Sequence, residues 1–225
     1  MLFTFLPYDR HCDDGLGAMG DEFEAAARTI GAVPGPGKKF DLARCFLFRH
    51  AIELYLKSAI VILHRGLKIP YGDKPCDGVG HVKIESKWRP IHKTHSIGDL
   101  WTYLRDAMRV HAAKLAGYGT DFESFPEGLE EALVKIDELD RRGTFFRYPD
   151  GSRPDCKTEK SAWGKVDLTE SPVKMFLLTD AANNVTDEFQ HHADTLEDTI
   201  RVLEKTAHDL TGLHVALRCE LLGGA

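Results

Sequence analysis

In the stretch FLFRHAIELYLK, Phe46 to Lys57, a guanidinium, an imidazole, a carboxylate and an ammonium stand among Phe, Leu, Ile and Ala. A helix turns about 100° per residue, so with Arg49 at zero, Glu53 falls at about 40°, Lys57 at about 80° and His50 at about 100°. Four ionisable groups therefore share one arc. Leu47, Phe48, Ala51, Ile52, Leu54, Tyr55, Leu56 and Ala59 take the other directions, which predicts a helix buried on most sides with a polar window in its wall. Unpaired charge is expensive to bury, so these groups must pair with one another, reach water in a cleft or meet a ligand.

Two chemistries fit. In the plainer one, Arg49 and Lys57 each pair with Glu53 at i,i+4 and His50 bonds a backbone carbonyl. In the other, Arg, His and Lys around one carboxylate receive a phosphate or other anion, with the histidine transferring protons. The arc alone does not choose between them. His95, at the start of a later helix, is a capping or site group. Arg147 stands between Phe146 and Tyr148 in FRYPDG, where proline stiffens the support of a planar donor, so Arg147 is expected to reach Glu53, with Tyr148 beside it as a binding candidate. The stripe through Leu100, Trp101 and Leu104 is expected to bring His95 to the mouth of the arc. GPGKK lacks the spacing and the Ser/Thr of a phosphate-binding loop. His191-His192, His92 with His95, and His11 with Asp13-Asp14 lack helical metal-ligand patterns, so neither a metal nor a cofactor is expected.

The elements that must position these groups read as helices. MGDEFEAAARTIG (19–31) is a short one, followed by a Pro-Gly loop; the main helix spans about 40–65 and ends at His64, Arg65 and Gly66. Residues 66–93 form a long loop with a short strand at HVKIE, a candidate lid. Residues 95–116, capped by Ser96, and 127–140, with Leu129, Leu133, Ile136 and Leu139 on one stripe, are core helices. GTFFRYPDG reads as a strand, paired with KVDL near 165–168, and a helical pattern starts at Ser171-Pro172 and runs to about Leu222, broken near Thr195 or Gly212. The expectation is an all-α bundle of about five or six helices with a small β-hairpin insertion, in one domain of 1–225 with an N-terminal appendage over 1–39 and the insertion over 143–170.

Composition narrows the functions. The chain has 225 residues, 43% hydrophobic, with net charge −6 and a pI near 6.0, which argues against a generally basic surface for coating nucleic acid and leaves a local basic site. Five cysteines without a CxxC pair signal neither a disulfide framework nor a cysteine zinc site, and fit a reducing cytoplasm. MLFTFLPYDR lacks a basic start and breaks at Pro7, unlike a signal peptide. The apolar run from Phe40 to Leu63 carries too many charges for a membrane span, so no membrane association is expected.

FLFRHAIELYLK, then HSIGDLW, then IDELD with FFRYPDG, then VDL before a long helix, resemble a group of bacterial proteins of unknown function with an FRHxxELxLK helix, an HxLxxLW helix and an FRYP turn, over roughly residues 40–190. That group in turn resembles HEPN domains, helical bundles many of which are metal-independent ribonucleases in toxin and defence systems. HEPN nucleases carry Arg, four to six residues, then His. Arg44 and His50 match that spacing, with Cys45 in place of the usual polar residue after the arginine. The resemblance implies a homodimer acting on RNA, with His50 moving protons, Arg49, Arg44 or Arg147 stabilising charge on phosphorus, and an antitoxin or defence-system partner. Arg44 lies about 120° round the helix from His50, so the two share a site only where the helix begins irregularly or a second copy completes it. The competing expectation is a non-catalytic helical module that binds a nucleotide, another anion or a partner protein through the same arc. A metal-dependent hydrolase using the histidines is the third.

Overall fold

A computed structural model describes residues 7–32, 40–146, 163–165, 175–191 and 196–224. The chain is an all-α bundle with a small β-hairpin. Among the described residues there are six α-helices: α1 (Leu16–Gly31), α2 (Asp41–Leu67), α3 (Ile97–Val110), α4 (Ala112–Leu115), α5 (Leu129–Asp140) and α6 (Glu197–Leu222). The hairpin is β1 (His81–Ile84) with β2 (Lys87–Pro90), and β3 (Trp163–Lys165), β4 (Met175–Thr179) and β5 (Val185–His191) form an antiparallel sheet in the order β3-β5-β4.

α2 is the axis of the bundle. From Ala51 to His64 every residue is buried, because α1 and α6 pack along it and α3 crosses it, with α5 bridging α3 and α6. Each large aliphatic or aromatic side chain so buried contributes about 2 kcal/mol from solvent transfer, enough to hold a helix with little amphipathic character of its own. α1 supplies Ala27 to the shared core, and α6 supplies Ile200, Leu203, Leu210 and Leu217. The N-terminal stretch that reads as an appendage thus holds a helix packed along α2. Among the described residues no helix is long and apolar enough to cross a membrane.

Several ends differ from the sequence reading. Gly66 does not cap α2; Lys68 takes the left-handed conformation (φ 53°) and the Ile69 N–H closes on the His64 carbonyl at 2.8 Å. Gly66 serves close approach instead, since a Cβ there would lie 2.6 Å from Leu221 Cβ. The two-stranded hairpin falls within the expected 66–93 loop, where Glu85 (φ 48°) and Ser86 (φ 68°) form a two-residue turn of the type that matches strand twist. Gly143 to Phe146, expected to be strand, are turn or irregular, and β3 pairs with β5. The helix expected from 171 begins only at Glu197. Before it, the Asp180 carboxylate accepts the Ala182 and Asn184 N–H groups at 2.8 and 2.9 Å, a side-chain-closed turn that reverses the chain between β4 and β5. Gly212 sits inside α6 without breaking it.

Candidate functional site

Glu53 is the hub of a buried network. Its Oε2 accepts from Arg49 Nη1, and its Oε1 accepts from Lys57 Nζ at 2.6 Å and from the His95 ring Nδ1 at 3.0 Å. On its other side Arg49 faces α5 and the start of α3. Its Nε lies 3.0 Å from Asp140 Oδ2, and its Nη2 donates to the carbonyls of His95 at 2.5 Å and Asp140 at 3.3 Å. Asp140 Oδ1 accepts the Phe145 N–H at 2.8 Å, tying the chain after α5 to the same cluster. The charges cancel: Arg49 and Lys57 against Glu53 and Asp140. Burial by itself would raise the Glu53 pKa; Lys57 and then Arg49 outweigh it and hold the carboxyl at about 2.

Exposure separates His95 from the rest. Arg49 and Glu53 are 1% exposed, Asp140 3% and Lys57 4%, whereas the His95 side chain is 45% exposed. An ionised Glu53 only accepts hydrogen bonds, so Nδ1 donates to it; Nε2 is an acceptor in the neutral ring and a second N–H donor in the protonated one. The residue is gripped twice, its ring by Glu53 and its carbonyl by Arg49. α3 delivers it as expected: Ser96 Oγ accepts the Asp99 N–H at 3.0 Å and donates to Asp137 at 2.9 Å, while Trp101 and Leu104 are buried in the core on the same helix.

The structure therefore brings Arg49, Glu53, Lys57 and His95 together. It does not bring His50 or Arg44 to them. The His50 ring packs toward α1, edge-on to Phe23 at 4.6 Å and stacked on Phe46 at 5.8 Å. Arg44 lies 3.9 Å from Asp41 and 4.0 Å from Glu204 of α6. α2 is helical from Asp41 onward, so no irregular start turns Arg44 toward His50. Arg147 and Tyr148, and with them the expected contact of Arg147 with Glu53, lie outside the described residues.

Two features escaped the sequence reading. Asp140 continues the apolar stripe of Leu129, Leu133 and Ile136 by four residues, and a carboxylate on such a stripe is a signal of a buried partner. The run KWRPIHKTH, residues 87–95, has no carboxylate, and Lys87, Arg89, His92, Lys93 and His95 are all exposed. This gives His95 a locally basic approach on an acidic protein. Among the described residues no three His, Cys, Asp or Glu side chains converge in a way that could hold a metal ion.

A second buried carboxylate lies where the loop before α1 meets α2 and α6. Asp13, fully buried, accepts from Ser58 Oγ, from Gly17 N at 2.7 Å and from Gly15 N at 3.1 Å, and His214 Nε2 lies 3.8 Å away. Burial would raise its pKa; the His214, Ser58 and Gly17 contacts hold it at about 2. Ser58 and His214 are as buried as Asp13, so this trio has no substrate access and serves packing. No family model, curated protein or solved structure matches this chain.

Proposed function

We propose that the protein is a helical binding module of HEPN-like character whose ligand is a phosphate group of RNA or a nucleotide, received by the outward Nε2–H of a protonated His95. The observation that carries this is the double grip on an exposed imidazole by an otherwise sealed network. Arg49 and Lys57 are already neutralised by Glu53 and Asp140, so they act as supports for His95 rather than as phosphate ligands. The approach to His95 through His92 and Lys93 supplies the positive potential that a phosphate needs. A second copy of the chain and an antitoxin or defence-system partner are the assemblies that the resemblance to HEPN proteins suggests.

A second reading, an endoribonuclease, is favoured by the tautomer. With Nδ1–H on Glu53, Nε2 can take the proton of a ribose 2′-hydroxyl; the 2′-oxygen then bonds to phosphorus, the bond from phosphorus to the 5′-oxygen breaks, and water protonates the leaving oxygen. His95, rather than His50, would be the base.

The test is a labelled single-stranded RNA pool mixed with wild type and with His95→Ala, read by fluorescence anisotropy and on denaturing gels with and without EDTA. Binding that His95→Ala weakens about tenfold, a loss typical of one charge-assisted contact, with intact RNA on the gel, is expected. EDTA-insensitive cleavage lost in His95→Ala would establish the second reading. Binding and cleavage both indifferent to His95 would remove it from the site.

A further inference from the structure

Beside the hairpin, between β1, β2 and α3, lies a cleft of about 740 Å³ lined in part by Trp88 and Tyr103. Its aromatic wall is rigid. The rings of Tyr71, His64 and Tyr103 are nearly parallel, with His64 at 4.0 Å from Tyr71 and 5.9 Å from Tyr103, and Trp88 stands edge-to-face against all three. Both nitrogens of the central His64 are engaged. His64 Nδ1 lies 2.8 Å from the Ile69 carbonyl and must donate to it, so Nε2 accepts the Tyr103 hydroxyl proton at 2.7 Å. Trp88 is wedged against Gly72 (φ 69°), where a Cβ would lie 2.5 Å from its Nε1. Rings held this way lose little freedom when a flat ligand stacks on them.

The rim is charged in both senses. Lys83 and Arg89 project from the hairpin, and Arg141 lies 3.8 Å from Asp99 across the far side. Glu85 and Asp106 balance the cations. A purely anionic ligand would gain little from such a rim. A flat aromatic ring that carries hydroxyl or amino donors for the carboxylates and a phosphate for the cations matches every part of it.

We propose that this cleft binds the base and ribose of a ribonucleotide, the base stacked on the face of Trp88 and edge-to-face with Tyr103, the phosphate near Lys83 and Arg89, and the ribose hydroxyls toward Asp99 and Asp106. The inference rests on the phosphate-at-His95 reading and extends it. Arg89 is six residues before His95, so the chain places the two within about 20 Å, and one strand of RNA engages both. Free nucleotide and RNA present the same chemistry to the cleft, and the assay separates them.

Adenosine, AMP, inorganic phosphate and a labelled single-stranded oligoribonucleotide are titrated against wild type, Trp88→Leu, Trp88→Phe, the exposed pair Lys83→Glu/Arg89→Glu, and His95→Ala. AMP and RNA are expected to bind wild type, and Trp88→Leu to weaken both by roughly ten- to a hundredfold, the range for losing one stacked base, with Trp88→Phe within a few fold. The charge-reversed pair is expected to weaken AMP and RNA and to spare adenosine. That pair keeps the test decisive if Trp88→Leu fails to fold. RNA binding that survives Trp88→Leu and the charge-reversed pair but fails in His95→Ala overturns the cleft and keeps the His95 reading. The opposite pattern keeps the cleft and retires His95. Wild type that binds RNA but neither AMP nor adenosine, with no loss in either cleft variant, also overturns the cleft, as does wild type that binds none of the four ligands.

Discussion

Glu53 and Asp13 are both buried carboxylates held at about 2, and they are kept ionised by different means. Glu53 is compensated by whole charges on long side chains, Arg49 and Lys57, each one helical turn away. Asp13 is compensated by short contacts from other elements and its own loop, the His214 ring first, then the Ser58 hydroxyl and the Gly17 and Gly15 N–H groups. Long side chains of opposite sign bring further polar groups with them, and the Glu53 cluster extends through Arg49 to Asp140 and outward to an exposed His95. The short, dipolar solution closes on itself and offers nothing to a ligand. Charge compensation is what leaves an exposed edge.

The sharpest break of this comparison is Glu53→Ala. Buried Lys57 would lose its carboxylate and Arg49 one of its two, keeping Asp140, a loss of about 3–5 kcal/mol by the usual cost of breaking a buried pair. Urea denaturation at pH 7 measures it. A loss under about 1 kcal/mol would mean that water already serves Arg49 and Lys57 and that the network is not closed.

Acid titration sharpens the contrast, because both carboxylates stay ionised in the folded and unfolded states until the pH nears their unfolded values of 4.5 and 3.8. Stability lost above that range must come from another group. His64 is that group: burial lowers its pKa from 6.5 to about 4, the Ile69 carbonyl only partly opposing. Between those values the unfolded chain binds a proton that the folded chain refuses. The His64 contribution is therefore fully present above pH 6.5 and falls by about 2–3 kcal/mol as the pH drops to 4. Denaturation at pH 7 and 4.5 on wild type and His64→Gln checks this, and the variant should lose most of the slope. An equal slope in both proteins would place the proton uptake elsewhere. The contributions of Glu53 and Asp13 follow at lower pH, each lost as the pH falls from its unfolded value toward about 2.

Asp13→Asn should cost less than Glu53→Ala, about 1–3 kcal/mol, because the amide keeps shape and one acceptor while leaving one donor of the Ser58, Gly17 and Gly15 set unsatisfied. A cost matching that of Glu53→Ala would erase the distinction between charge and dipole compensation. The same distinction explains how much the sequence made legible. Arg49, Glu53 and Lys57 are i,i+4 neighbours on one helix, so periodicity alone placed them together, and a histidine just before the Leu100-Trp101 stripe placed His95. Asp13 gave no such signal, since Ser58 lies 45 residues away on another element, His214 stands on α6 and its remaining donors are backbone. Asp140 was legible in principle, as a carboxylate on an apolar stripe. His50 shares the angular arc of Glu53, but its ring turns toward Phe23, and angular position does not encode a side chain's choice of aromatic neighbour. The helical bundle followed from repeated apolar faces. The β4–β5 turn did not, because a single aspartate closing its own backbone overrode a pattern that otherwise reads as helix.

The smallest effect is expected at the residue with the largest functional claim. His95→Gln removes one bond to a carboxylate that keeps Arg49 and Lys57, and the ring it removes is 45% exposed, so water can replace what is lost. The Arg49 bond to the backbone carbonyl of residue 95 does not depend on the side chain. Stability should change by about 0.5 kcal/mol or less, the range of a surface substitution, with the urea midpoint as the readout. Glutamine keeps a donor that can face Glu53 but offers no ring nitrogen outward, so RNA binding or cleavage should fall while the fold does not. A stability loss approaching that of Glu53→Ala would show that His95 belongs to the sealed network and not to its edge. The contrast between a closed charge cluster and an exposed functional rim would then collapse into a single structural core.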